Sequence, residues 1–277
     1  MVLHPAMVGA APRPVLPATD LEHVALEITQ THLPYTPWTD PALSRMPGMR
    51  PVDGSWIVVD DAYPAQMAER ARLRAAHREA VEVVLPSAEP ALEELRGMVL
   101  AALPAGFVRD GAEVVRPDGL RVPVEGPPFE VLNRLLQEDL LILEKQGDEH
   151  VLTAGLLCFP ASWTLAEKIG RPLRRIHRPV APYDTDVAHR VQRLFDRVPS
   201  GRAMWRMNAL GYTEAALHQP KSEASPRDEA GAVRYLRSER QTVLRLTRTG
   251  AILFAVHTWV VPLDALTQTQ RATCPVG

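Results

Sequence analysis

The sequence predicts an α+β fold in which helices lie on one side of a mostly antiparallel sheet. In the first half of the chain, apolar residues recur three and four positions apart, the spacing of a buried helix face. The second half is rich in apolar segments that flank short turns, the pattern of β-hairpins. Its last such segment, 251–261, is apolar on both faces, so we expect it at the centre of the sheet.

The first half is expected to begin with proline-broken loop over 1–55. The regular elements expected after it are a strand at 56–59, helices at 63–84, 87–103 and 129–137, and a hairpin over 114–122. Ser87 is a candidate helix cap, and Pro104 ends that helix. The run Pro117-Asp118-Gly119 predicts the hairpin turn, because these residues adopt turn geometry readily.

The elements expected in the second half are strands at 140–144, 151–159, 203–210, 242–247 and 251–261, and helices at 162–169 and 184–198. Gly147 lies between the first two strands, and Gly170 is expected to close the first helix. Asp184 is the candidate cap of the second helix, whose apolar stripe includes Val187 and Val191.

The chain length of 277 residues allows one large domain. We expect a proline-rich arm at 1–45 and a single domain at 46–270. The 26 prolines are roughly twice the average share of about 5%. Tyr35, Trp38 and Trp56 suggest that the arm wraps the core, since disordered tails contain few aromatic residues.

Composition and missing motifs exclude several functions. The net charge of −2 does not favour bulk nucleic-acid binding, and no apolar run approaches the roughly 18 residues of a membrane span. Cys158 and Cys274 are too few for an iron–sulfur cluster, and they suggest a reducing, cytoplasmic location. The first residues lack a charged segment followed by a sustained apolar one, so we expect no signal peptide. Nucleotide loops and hydrolase motifs are absent. Redox chemistry here would therefore need another cofactor and an outside source of electrons.

His177 is the most informative histidine. It lies in a proline-punctuated segment, expected to be an extended strand, among Arg174, Arg175 and Arg178. An imidazole fixed among cations suits an iron porphyrin, whose propionates are anionic, but the pattern also fits a strand on a basic surface. His257 and His189 fit an ordinary polar role, and His257 is the more ambiguous of the two.

A second dense stretch runs from 235 to 259. Its polar residues lie at the mouth of an apolar strand and are Arg237, Glu239, Arg240 and Gln241. A pocket there would offer an arginine to bound oxygen and a carboxylate to an ammonium group. The alternative is a strand edge that is protected by charge.

Several motifs follow one another in a fixed order between about residues 46 and 263. They are W-I-V-V-D-D-A-Y from Trp56, Q-E-D-L from Gln137, F-P-A-S-W from Phe159, I-H-R-P-V from Ile176, W-R-M-N from Trp205 and R-S-E-R-Q-T-V from Arg237. Together they resemble the haem-dependent oxidative N-demethylase family, α-subunit type. The chain departs from the family pattern at two places. Ala209 stands where the family pattern has tryptophan, and the last strand has His257-Thr258-Trp259 where the family more often has a basic residue before the aromatic one.

The resemblance implies a PAS-like fold that binds haem b, without flavin, NAD or an iron–sulfur cluster on this chain. It implies an enzyme that demethylates a small secondary amine to a primary amine and formaldehyde, using O₂. Electrons would come from separate flavin and iron–sulfur reductase subunits. A haem-based gas or redox sensor, a non-catalytic haem-binding module and a structural protein without a cofactor remain alternatives, because a fold alone does not fix function.

The resemblance also assigns residues. The axial iron ligand falls on His177, with His257 as the alternative. The groups facing oxygen and substrate fall on Arg206, Arg237, Glu239 and Arg240. The remaining expected haem contacts are Arg174, Arg175, Arg178, Gln241 and Thr242.

Overall fold

The structure, a computed structural model, describes residues 27–43, 48–177, 185–225 and 231–276. The strands of this part of the chain are β1 (Arg50–Pro51), β2 (Glu82–Val84), β3 (Val108–Asp110), β4 (Glu113–Val115), β5 (Arg121–Pro123), β6 (Asp139–Gln146), β7 (Glu149–Leu156), β8 (Met204–Met207), β9 (Leu210–Tyr212), β10 (Tyr235–Arg245) and β11 (Ile252–Pro262). The helices are α1 (Tyr63–Val81), α2 (Glu89–Ala101), α3 (Pro128–Leu135), α4 (Leu165–Lys168), α5 (Leu173–Ile176), α6 (Thr185–Arg197) and α7 (Gln268–Thr273).

The main sheet has the strand order β1-β8-β10-β11-β6-β7-β2, and β9 pairs with β10 outside this path. All of these pairings are antiparallel. The α+β class is therefore confirmed, and so is the central position of β11 between β10 and β6. A small second sheet has the order β3-β4-β5, and the predicted hairpin at 114–122 is its β4–β5 pair.

Helices cover both faces of the main sheet, so the prediction that they lie on one side was wrong. Leu140 and Ile142 of β6 belong to a buried cluster with α1, α2 and α3. Leu141 and Leu143 belong to another cluster, with α4, α5 and α6. Successive strand residues point to opposite faces, so a central strand with apolar residues on both faces needs other elements packed against both. We call the face of Leu141 the front face and that of Leu140 the rear face.

Two local predictions in the first half were also wrong. Residues 56–59 form no strand, because the N–H of Val58 donates to the Glu138 carboxylate at 2.8 Å rather than to a neighbouring strand. Ser87 does not cap α2. It lies in a short 3₁₀ turn before the helix, and its hydroxyl donates to Glu144 at 2.8 Å.

The described part of the arm, 27–43, binds the C-terminal half of β11, beyond the residues that pair with β6. The Gln30 N–H donates to the Val260 carbonyl at 3.0 Å, and the Val260 N–H donates to the Gln30 side chain at 2.8 Å. Leu33 packs with Trp259 in a third buried cluster. Among the described residues, no helix is long and apolar enough to cross a membrane.

Candidate functional site

His177 lies in a turn directly after the short helix α5. The expected extended strand is therefore wrong at this point, because the extended backbone ends at Pro172 and Leu173–Ile176 form a helical turn. The peptide N–H of His177 donates to the Leu173 carbonyl at 3.1 Å. Arg178 and the predicted cap Asp184 lie outside the described residues.

One nitrogen of the His177 imidazole has a defined hydrogen-bond partner. Its Nδ1 lies 2.9 Å from the Leu173 carbonyl oxygen. A carbonyl only accepts hydrogen bonds, so the proton is on Nδ1 and the lone pair is on Nε2. Burial lowers the pKa of His177, the Leu173 hydrogen bond opposes this effect, and the nearby Lys168 charge lowers the pKa further. The lowered pKa favours the neutral imidazole, which is the form that binds metals.

The arginines expected around His177 have different surroundings. Arg175 donates to the Glu223 carboxylate, with Nη1 3.0 Å from Oε2. Arg174 is exposed on α5. Arg175 therefore already pairs with a protein carboxylate, whereas Arg174 is exposed and could pair with an anionic group at the protein surface.

The front face also carries a polar cluster formed by β8 and β10. Its members are Arg206, Arg237, Glu239 and Gln241, which share this face because Arg206 pairs with Gln241 in register and the β10 residues alternate. Nη1 of Arg206 donates to Gln241 Oε1 at 3.2 Å, while the buried Nε of Arg206 has no hydrogen-bond partner among the described residues. Burial lowers the pKa of Arg206. This half-buried cation, whose Nε is shielded from solvent, is therefore suited to meet an anionic or electron-rich group.

Glu239 is held in place by its neighbours. It accepts from Nε of Arg237 at 3.3 Å and from Nδ2 of Asn208 at 3.2 Å. The other donors of Arg237 bind the carbonyls of Leu217 at 3.0 Å and Phe159 at 2.6 Å, so this arginine also fixes two loops. Sequence reasoning did not select Asn208 as a site residue, although it ends the W-R-M-N motif.

Arg240 and Thr242 do not join this cluster. They lie on the rear face, because each is one position out of phase with Glu239 and Gln241. The Arg240 guanidinium lies 5.0 Å from the centre of the Trp205 ring, and Arg240 pairs across the strands with His257. The structure therefore separates the sequence-predicted residues of β10 into two sets.

His257 is buried on the rear face between two carboxylates. Its Nε2 lies 3.0 Å from Asp60, and its Nδ1 lies 3.4 Å from Glu138. Burial disfavours the charged ring, but the hydrogen bonds and charges of Asp60 and Glu138 outweigh burial and raise the pKa of His257 to about 9. An imidazolium has no lone pair for a metal, so this geometry favours His177 over His257 as an iron ligand.

The front-face residues fit a haem group. His177 offers a neutral nitrogen ligand whose orientation is fixed by a backbone carbonyl, as is usual for metal-binding histidines. Ile176 packs against the apolar cluster that contains Leu141 and Val243, which would suit a porphyrin face. The orphaned Nε of Arg206 supplies a buried donor on the same side of the sheet.

Comparison with known families gives one match for this chain. The matching model is described as haem-dependent oxidative N-demethylase, alpha subunit-like, and it covers residues 48–274. This range includes His177, both faces of β10 and the whole of the main sheet. The chain therefore belongs to the haem-dependent oxidative N-demethylase, alpha subunit-like family.

Proposed function

We propose that this chain is the haem-binding subunit of a monooxygenase that removes a methyl group from a small secondary amine. The products are a primary amine and formaldehyde. One oxygen atom of O₂ enters the formaldehyde and the other leaves as water, with two electrons and two protons consumed. Membership of a family named for haem-dependent oxidative N-demethylation supports this proposal. The observation that supports it most is the hydrogen bond between Nδ1 of His177 and the Leu173 carbonyl, which leaves Nε2 as the nitrogen that can bind iron.

His177 is the residue that we propose holds the iron, through Nε2. The haem, proposed to be haem b, supplies oxygen activation and the oxidation of the methyl carbon when bound. Ile176 and the front-face leucines exclude water around it. Arg174, which is exposed on α5, is available to a propionate, whereas Arg175 would have to exchange Glu223 for one.

Arg206 and Glu239 are the residues that we propose face oxygen and substrate. The orphaned Nε of Arg206 is a preorganised donor for a developing negative charge, and such donors stabilise charge strongly in a water-poor site. Three donors reach the Glu239 carboxylate, from Arg237, Asn208 and Gln241, and a carboxylate has about four acceptor sites, so it can also accept a hydrogen bond from a substrate ammonium. Holding the amine there would fix which methyl group is oxidised.

The electron source is proposed to be separate reductase subunits that carry flavin and an iron–sulfur cluster. The words "alpha subunit-like" in the family description support a complex of several chains. The PAS-like character of the fold, the division into an arm and one domain, and the cytoplasmic location stay predictions.

The test is a His177→Ala substitution with His189→Ala as a matched control. His189 is exposed on α6, so its loss should change nothing. We expect the parent and the control to show a Soret band and to release formaldehyde from a secondary amine with O₂ and a reductant. His177→Ala should lose both properties.

An unchanged haem spectrum in His177→Ala would contradict the assignment of the iron ligand. A normal haem spectrum in the parent without formaldehyde from any small methylamine would instead favour the sensor function. The absence of any Soret band after expression with added haem precursor would contradict haem binding altogether.

A further inference from the structure

A buried lysine lies directly behind the turn that carries His177. Lys168 is the last residue of α4, and its side chain is only 6% exposed. Its Nζ donates to the Ile176 carbonyl at 2.7 Å and to the Glu223 carboxylate at 2.5 Å. Buried lysines are rare in proteins unless they are paired. The Lys168 ammonium therefore links the residue before His177 to a distant loop.

The loop at 221–225, which contains Glu223, is itself held by several hydrogen bonds. Glu223 also accepts from Arg175 of α5, at 3.0 Å. The Glu223 N–H and the Ser222 hydroxyl donate to the Glu167 carboxylate at 3.1 and 2.7 Å. We call Glu167, Lys168, Arg175, Ser222 and Glu223 the latch. It joins α4, α5 and the loop at 221–225 into one connected group.

The latch supports a helix that has little stability of its own. α5 has four residues, too few to form a stable isolated helix. The Ile176 carbonyl is at its C-terminal end, where carbonyls lack helical partners and lysine side chains can bind them. Both the backbone N–H and Nδ1 of His177 bind the Leu173 carbonyl of the same helix. Any movement of α5 would therefore turn the imidazole.

We propose that Lys168 and Glu223 are positioning residues for His177, which hold α5 so that Nε2 of the imidazole is presented to the haem iron. This inference rests on the proposed role of His177 as the axial ligand. Neither residue touches the reacting atoms in this scheme. Outer groups of this kind commonly contribute about 10- to 100-fold to metal affinity, because they fix the ligand before the metal binds.

The experiment compares Lys168→Met, Glu223→Gln and the control Lys145→Met. Lys145 pairs with Asp196 of α6 on the surface, with its side chain 45% exposed, whereas Lys168 binds the Ile176 carbonyl of α5. Each variant of the full chain is titrated with haemin to measure affinity. The iron–imidazole stretching frequency of the ferrous protein is measured by resonance Raman at saturating haem, and thermal unfolding of the haem-free protein is followed in parallel.

We expect haemin affinity to fall about 10- to 100-fold in Lys168→Met, and by less in Glu223→Gln, which keeps a hydrogen-bond acceptor. The stretching frequency should shift in both variants and stay unchanged in Lys145→Met. If Lys168→Met does not fold, Glu223→Gln decides the question, since Glu223 is partly exposed and glutamine has nearly the same size as glutamate.

Parent-like affinity and stretching frequency in the folded latch variants would overturn the inference, even where His177→Ala loses haem. Retention of the parent spectrum in His177→Ala would overturn the proposed ligand and this inference together. The two failures are therefore distinguishable.

Discussion

Replacement of His257 by glutamine should remove a pH-dependent part of the stability of this protein. His257 is 1% exposed and lies between Asp60 and Glu138, with Trp259 and Arg240 as its neighbours on the rear face. The carboxylates raise the pKa of His257 from 6.5 to about 9. At about 1.4 kcal/mol for each pKa unit, that difference corresponds to about 3 kcal/mol of stabilisation by the charged ring.

The sign follows from which state binds the proton more tightly. The folded protein holds the His257 proton to a higher pH than the unfolded chain does. The stabilisation is therefore complete below about pH 6.5 and is lost as the pH rises through about 9. Arg240 stays charged throughout this range because a guanidinium does not lose its proton there, so it adds no pH dependence of its own.

The assay is urea unfolding of the parent and of His257→Gln at about pH 6 and about pH 10. We expect the variant to be less stable by about 3 kcal/mol at the lower pH, with the difference shrinking towards zero at the higher pH. The control His189→Gln, at an exposed position of α6, should show a small difference that does not change with pH. A pH-independent difference for His257→Gln would refute the reasoning.

Three further predictions concern the site and its support. Glu239→Gln should keep the Soret band but weaken amine binding roughly 10- to 100-fold, as loss of a charged hydrogen bond predicts, in an amine-induced spectral titration. Asp139→Asn should lower the free energy of unfolding by about 3–5 kcal/mol in urea, because Arg70 and Asp139 form a buried ion pair at 2.6 Å. NADPH alone should not reduce the haem-loaded chain. Rapid reduction without added reductase would show that this chain accepts electrons from NADPH directly.

The centre of the sheet could be predicted because β11 carries apolar residues on both of its faces, and these are satisfied only by burial on both sides. The start of β10 could not. The strand begins at Tyr235 rather than near 242, and its first residues are buried although many are charged. Arg237 is buried because it binds two loop carbonyls and Glu239, and such partners come from distant parts of the chain that a hydrophobic pattern does not reveal.

The turn at His177 was missed for a related reason. Proline before Leu173 is compatible both with an extended segment and with the start of a helix, and only packing decides between them. Here the Leu173 side chain is buried in the front-face cluster, and the Ile176 carbonyl is bound by Lys168. Residues that were distant in the sequence thus selected the helical alternative.

Successive side chains of β10 point to opposite faces of the sheet, so adjacent residues have different surroundings. Glu239 faces the front, where Arg206 has an orphaned Nε and Glu239 keeps capacity for another donor. Arg240 faces the rear, where it lies over Trp205 beside the charged His257. Both faces hold a donor without a hydrogen-bond partner among the described residues, Nε of Arg206 on the front and Nε of Arg240 on the rear. The faces differ in charge, because carboxylates already flank His257 on the rear, whereas Arg206 on the front donates to the neutral amide of Gln241. We therefore propose that β10 presents charged groups to oxygen and substrate on its front face, and that its rear face contributes to stability through the surroundings of His257.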